Sequence, residues 1–122
     1  MSHPRSPLPP LASYAFGSIT VGEQTYTADL ILLPDRIVSD WWREEGHSLS
    51  VADLDVVFEA KPEVLVVGTG ANGRMDVPQA TRDALARAGI ALVAEPTAEA
   101  CATYRRLRQT GKRLAAALHL TC

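Results

Sequence analysis

Three apolar segments separated by two helical segments dominate the second half of the chain and constrain its fold. "VLVV" starts at Val64, "IALVA" at Ile90 and "RLAAALHL" at Arg113, and each has the length and composition of a buried strand. Pro78 and Gly89 mark the start and the end of the first intervening helix. Strands joined through helices are expected to run parallel with right-handed crossovers. We therefore predict a βαβαβ unit whose three strand carboxyl ends lie along one edge of a sheet.

The N-terminal half has a different pattern. From Tyr14 to Pro34, apolar and polar residues alternate around Gly22, which predicts two or three short antiparallel strands. Residues 1–13 contain four prolines and predict a flexible tail, so that residues 14–122 form a single α/β domain.

The composition excludes several classes of protein. Two cysteines cannot form a disulfide framework, and no Cys/His spacing fits zinc, so we predict no metal and no cofactor. No apolar run approaches the ~20 residues of a membrane span. The start of the chain lacks the apolar stretch of an export signal, and we expect a cytoplasmic protein.

Charge is distributed unevenly along the chain. Residues 1–63 contain ten acids and four bases, whereas residues 82–113 contain seven bases and three acids. The basic residues from Arg105 to Arg113 have only Tyr104 as an aromatic neighbour, and single-stranded nucleic acids are usually bound on several aromatic side chains. We interpret this segment as a solvated helix face and predict no binding of nucleic acid.

The turn after the first parallel strand contains Gly68, Gly70 and Gly73 in the spacing G-x-G-x-x-G, which is typical of dinucleotide sites. In such sites the helix begins within the glycine loop, and its amides meet the pyrophosphate. Pro78 places the helix start several residues later, so we do not predict nicotinamide binding. Two interpretations remain: a nest of amides for a small anion, and a turn that needs glycine for its backbone.

Two further groups of residues are candidates for chemistry or binding. His119 and Cys122 could form a base and a nucleophile, but chain ends tend to fray, and we interpret His119 as a structural residue of a docked strand. Trp41, Trp42, Arg43 and His47 lie within seven residues, where they could bind a partner protein or pack against the sheet.

Four stretches in this order, "WWREEGHSL", "PEVLVVGTGANGRM", "AGIALVAEPTAEACATYRRL" and "GKRLAAALHLTC", resemble a small domain family of unknown function. The family includes a mitochondrial assembly factor for respiratory complex I and an adipogenesis-associated domain protein. The resemblance covers residues 14–122. It implies a three-layer α/β fold, with a central mixed sheet, helices on one side and an antiparallel hairpin layer on the other, and no proven enzyme activity. The family's characteristic positions are Trp42, Arg43, His47, Gly68, Thr69, Gly70, Thr97, Ala100, Tyr104 and His119.

Two functions follow as hypotheses. The first is a non-enzymatic binding module for a protein partner, related to complex I assembly. The second is a site for a small ligand or anion, or an enzyme, at the carboxyl edge of the parallel strands. The sequence does not determine whether the chain forms a homo-oligomer. The candidate binding residues are Trp42, Arg43, His47, Gly68, Thr69, Gly70, Thr97 and His119, and we predict no catalytic residue.

Overall fold

The structure, a computed structural model, describes residues 8–121. Residues 1–7 of the predicted tail and Cys122 lie outside the described residues. The strands are β1 (Leu11–Ala15), β2 (Ser18–Val21), β3 (Gln24–Tyr26), β4 (Leu30–Leu32), β5 (Ile37–Val38), β6 (Val64–Thr69), β7 (Ala91–Glu95) and β8 (Leu114–His119). A 3-10 helix (Val51–Leu54) leads into α1 (Asp55–Ala60), and the longer helices are α2 (Gln79–Arg87) and α3 (Thr97–Arg108).

Two sheets organise the domain. Strands β1, β2 and β3 form an antiparallel three-stranded sheet. The central five-stranded sheet has the order β5-β4-β8-β6-β7, with β6 parallel to both β7 and β8, and β4 antiparallel to β8. The mixed α/β fold class and the common direction of the last three strands are therefore confirmed.

The helices lie on both faces of the central sheet. Leu85 of α2 packs with Leu65 and Val67 of β6, whereas Tyr104 of α3 packs with Val66 on the opposite face, together with the three-stranded sheet. The prediction that the helices share one side is therefore wrong. The chain moves outward from β6 to β7 and then back past β6 to β8. Crossovers between parallel strands are almost always right-handed, and with that handedness this reversal of direction places α2 and α3 on opposite faces.

Burial on both faces explains the continuous apolar runs of β6 and β8. All six residues of each strand are buried. Strands covered on both sides contain few polar residues, unlike strands with one wet face. The hydrophobic core therefore consists of two layers that share the central sheet.

The segment before β1 is attached to α3. Strand β1 begins at Leu11, within the region that was predicted to be a tail, and the Leu8 and Leu11 side chains are buried. The Tyr104 hydroxyl donates a 2.9 Å hydrogen bond to the carbonyl of Pro9. Arg108 Nε donates to the carbonyl of Leu8 at 3.1 Å. Arg108, one of the basic residues of α3 that were interpreted as a solvated face, thus binds the backbone of this segment.

We expect Tyr104→Phe to lower the free energy of unfolding by about 1 kcal/mol, because the buried carbonyl of Pro9 loses its donor while the ring packing is kept. Urea denaturation measures the difference. Tyr26→Phe, a substitution of a half-buried tyrosine in β3, is the control and should change stability by less. Equal stability of Tyr104→Phe and the wild-type protein would contradict the proposed attachment.

Candidate functional site

Thr97 joins the loops at the carboxyl edge of the parallel strands. Its hydroxyl accepts from the amide of Gly70 at 2.9 Å and donates to the carbonyl of His119 at 2.5 Å. The N-cap of α3 is Pro96, and the helix starts at Thr97. No side chain makes a capping hydrogen bond at this helix start. The Thr97 side chain therefore does not cap α3 but links the ends of β6 and β8 to the start of that helix.

The glycine turn after β6 needs glycine for two different reasons. A Cβ on Gly68 would lie 2.9 Å from Thr97 Oγ1 and 3.0 Å from Leu118 Cδ2, so only glycine lets these side chains approach the strand. Gly70 and Gly73 have φ angles of 103° and 67°, in the region that glycine adopts most readily. The spacing of the glycines therefore has a backbone explanation.

Four amides of this turn have acceptors within the protein. For example, the amide of Ala71 donates to the carbonyl of Thr121 at 2.7 Å, and that of Met75 to the carbonyl of Thr69 at 3.0 Å. Helix α2 begins at Gln79, so its N-terminus lies outside the glycine turn. The amides with internal acceptors are those of Gly70, Ala71, Gly73 and Met75. They are not free for a phosphate, which favours the backbone interpretation over an anion-binding nest.

Asp29, which the sequence analysis did not identify, is the centre of a polar cluster beside this edge. Its Oδ2 lies 2.7 Å from His119 Nδ1 and 2.8 Å from Arg43 Nη1. Its Oδ1 accepts the backbone amide of Leu120 at 2.8 Å. Leu30 pairs with Leu118 in the antiparallel ladder, so Asp29 and His119 are neighbours across the two strands.

The cluster keeps Asp29 ionised. Burial by itself would raise the pKa of this carboxyl, but hydrogen bonds from His119, the Leu120 amide and Arg43 outweigh it and lower the pKa to about 2. Since the carboxylate can only accept, His119 Nδ1 carries the proton of that hydrogen bond. Within residues 8–121, His119 Nε2 and Arg43 Nε are buried and have no hydrogen-bond partner.

The two tryptophans occupy opposite environments. Trp41 is buried, its Nε1 donates to the carbonyl of Asp53 at 2.9 Å, and the Arg43 guanidinium lies 4.9 Å from its ring centroid. Trp42 is 85% exposed. The packing interpretation therefore applies to Trp41, and Trp42 is left on the surface.

Most of the candidate residues meet at this edge. The His47 ring lies 6.2 Å from the His119 ring in an edge-on arrangement, and Thr69 is directly opposite His119 in the parallel ladder. Arg43 reaches His119 as well, with Nη2 3.1 Å from Nδ1. Trp42 points away from the cluster into solvent.

Two kinds of feature are absent from the described part of the chain. In residues 8–121, no three His, Cys, Asp or Glu side chains are grouped in a way that could hold a metal ion. None of the helices described in the structure is both long and apolar enough to cross a membrane.

We expect Asp29→Asn to lower the free energy of unfolding at pH 7 by about 3 kcal/mol, because it leaves the buried Arg43 guanidinium without its counter-ion. The folded pKa of Asp29 is about 2 and its usual value is 3.8. Its stabilising contribution is therefore present above pH 3.8 and disappears as the pH falls through about 2.

Urea denaturation of the wild-type protein and of Asp29→Asn between pH 7 and pH 2 tests this dependence. About 2 kcal/mol of the difference between them should disappear over the acid range. Asp83→Asn, at an exposed position on α2, is the control and should show no such convergence. A difference that stays constant down to pH 2 would exclude the ionised Asp29 as the centre of the cluster.

Comparisons with known proteins give a consistent picture. NADH dehydrogenase (ubiquinone) 1 alpha subcomplex assembly factor 3 of Danio rerio is 34% identical over 108 residues, which are 86% of this chain and 60% of that protein. The chain thus spans about 60% of the length of this curated relative.

Solved structures share the fold. The Xanthomonas campestris protein XCC1710 is 30% identical, with a TM-score of 0.78 over 90% of this chain and 83% of its own. The Rhodopseudomonas palustris protein Rpa2829 is 28% identical, with a TM-score of 0.74 over 95% of this chain and 84% of its own. A Bordetella pertussis protein described as a Mth938-like domain is 23% identical, with a TM-score of 0.68 over 98% of this chain and 90% of its own, and indicates the fold alone.

The family profile described as "Protein of unknown function (DUF498/DUF598)" matches residues 11–119. This match includes every described strand and helix, together with the Asp29 cluster. The chain therefore belongs to the DUF498/DUF598 family.

Proposed function

We propose that this chain is a non-enzymatic protein-binding module that helps to assemble a multi-subunit complex, and that the complex is related to respiratory complex I. The relative from Danio rerio, which is named as an assembly factor of NADH dehydrogenase, supports this proposal. The observation that carries it is the 85% exposure of Trp42 on a loop with buried anchors.

An exposed tryptophan is unusual because its large apolar surface is costly in water. Among residues 8–121, the large hydrophobic residues that are exposed are Phe16, Trp42 and Val51, and Trp42 is the most exposed of them. Tryptophan is strongly enriched among the residues that contribute most to protein interfaces. In the proposed complex, the Trp42 side chain would be buried against the surface of the partner.

The loop holds Trp42 in place before any partner binds. On one side Trp41 is hydrogen-bonded to Asp53, and on the other Arg43 is paired with Asp29. Fixed neighbours reduce the conformational entropy that would be lost on binding. A tryptophan held in place in this way is better suited to binding a partner than one on a mobile loop.

The test is complementation in a strain that lacks this chain. We expect less assembled complex I on native gels, restoration by the wild-type chain, and failure of Trp42→Ala to restore it. Loss of a central interface tryptophan typically costs about 2 kcal/mol or more of binding free energy. Val51→Ala, which truncates another exposed apolar residue, is the matched control and should restore assembly. Full restoration by a folded Trp42→Ala variant would count against the proposal.

A second candidate function is the binding of a small ligand or anion at the carboxyl edge, with Gly68, Gly70, Thr97 and His119. One observation favours it: His119 Nε2 is buried and has no partner among residues 8–121. A buried polar group of this kind usually requires an explanation, and a ligand or an ordered water molecule would provide one.

Thermal unfolding in the presence of small anions, nucleotides and acyl compounds tests the second candidate. A ligand at 100 times its Kd should add about 2.7 kcal/mol to the free energy of unfolding. We expect His119→Gln to abolish the shift, and Tyr26→Phe to leave it unchanged. If none of these compounds stabilises the protein against thermal unfolding, the second candidate function is contradicted and only the protein-binding proposal remains.

A further inference from the structure

We infer that the surface around Trp42 binds a basic segment of its partner, in which an arginine or lysine stacks on the indole ring. The inference rests on the proposed function and names the chemistry of the partner. It is carried by the charges around Trp42 and by the way in which the nearest cation is used.

Three acids flank Trp42 in the sequence, and all three are exposed: Asp40, Glu44 and Glu45. We call them the acidic rim. Within residues 8–121, the ion pairs are those of Asp29 with Arg43 and His119, so no described cation neutralises the rim. The segment around this exposed tryptophan therefore contains three exposed carboxylates that form no ion pair with a described residue.

The cation next to Trp42 is used inside the protein. Only 5% of the Arg43 side chain is exposed, and its guanidinium binds Asp29 and the carbonyl of Gly46. The Asp29 carboxylate therefore neutralises the Arg43 guanidinium inside the protein, so that Arg43 adds no positive charge to the surface around Trp42. A basic partner would supply the positive charge that this surface lacks.

The residues that follow the acidic rim, and the segment that pairs with them, do not supply enough positive charge to neutralise it. Ser48 forms a β-bridge with Asp76, and the amide of Asp76 donates to the carbonyl of His47 at 2.7 Å. These contacts place another exposed acid, Asp76, beside the loop that contains Glu45. Arg74 is exposed in the segment that contains Asp76 and offsets one acid. Among Asp, Glu, Lys and Arg, the exposed residues of these two segments are four acids, Asp40, Glu44, Glu45 and Asp76, and one base, Arg74.

The rim is held in a defined backbone arrangement. The amide of Glu44 donates to Asp53 Oδ1 at 3.1 Å, and Glu45 forms an isolated bridge with Ser48. A cation over an indole face is attracted by the ring electrons, and nearby carboxylates strengthen that attraction. Complementary charge also accelerates association and excludes acidic partners. An arginine or lysine beside an apolar residue fits such a surface.

Fluorescence anisotropy with the full chain tests the inference. The probes are two labelled eight-residue peptides, one of alternating Arg and Leu and the other of alternating Glu and Leu. We expect the Arg-Leu peptide to bind, and its Kd to rise at least fivefold when NaCl is raised from about 50 to about 300 mM, because salt screens exposed charges. The Glu-Leu peptide should bind at least tenfold more weakly.

Variants locate the binding to the rim. Glu44→Lys with Glu45→Lys should weaken binding of the Arg-Leu peptide at least tenfold, and Trp42→Ala at least fivefold. The matched control combines Glu23→Lys and Asp83→Lys, two exposed acids in the β2–β3 turn and on α2. It changes the net charge equally and should alter the Kd by less than twofold.

Several results would overturn the inference. Equal binding of both peptides would do so, as would a control variant that weakens binding as much as the rim variant, since the effect would then come from net charge alone. A concentration-dependent dimer that is lost in the rim variant would assign the surface to a second copy of this chain instead.

A photoreactive amino acid at position 42, used in cells, separates this inference from the proposed function. A cross-link to a subunit of the assembling complex through a basic segment supports both. A cross-link to such a subunit through an acidic or neutral segment overturns the inference and leaves the function standing. If the peptides behave as expected but Trp42→Ala fully restores complex assembly, the function falls and the inference stands.

Discussion

The carboxylate of Asp29 joins parts of the chain that are far apart in the sequence. It accepts hydrogen bonds from His119 and from the Leu120 amide at the end of β8, and from Arg43 in the tryptophan loop. Burying a carboxylate is costly, and the low pKa of about 2 shows that these donors outweigh the cost. Because one acid satisfies all of them, the pairing of β4 with β8 and the position of the loop depend on each other.

The exposure of Trp42 follows from this constraint. Trp41 and Arg43, on either side of it, are fixed inward by hydrogen bonds to Asp53 and Asp29. With the side chains on both sides of it anchored inward, Trp42 is the residue of this segment that faces solvent. The packing and binding interpretations of the loop thus apply to different tryptophans: Trp41 is packed, and Trp42 is available for the proposed partner.

The sequence predicts the elements of this fold better than their arrangement. The apolar runs beginning at Val64, Ile90 and Leu114 are local patterns, and the βαβαβ unit could be read from them. The insertion of β8 between β4 and β6 is a long-range pairing that periodicity does not encode, and it places α3 on the face opposite α2. Asp29 was missed because a single acid before an apolar strand has no motif, and its partner His119 lies 90 residues away.

The glycine turn shows why spacing alone does not identify a dinucleotide site. In such a site, glycine lets the backbone approach a pyrophosphate, and the helix that starts in the loop directs its amides at the same group. In this chain the close approach at Gly68 is made by the Thr97 side chain, which belongs to the helix after the next strand. Helix α2 begins only at Gln79, so its dipole is not directed at the turn. What distinguishes the two cases is where the helix begins, and Pro78 already indicates that position in the sequence.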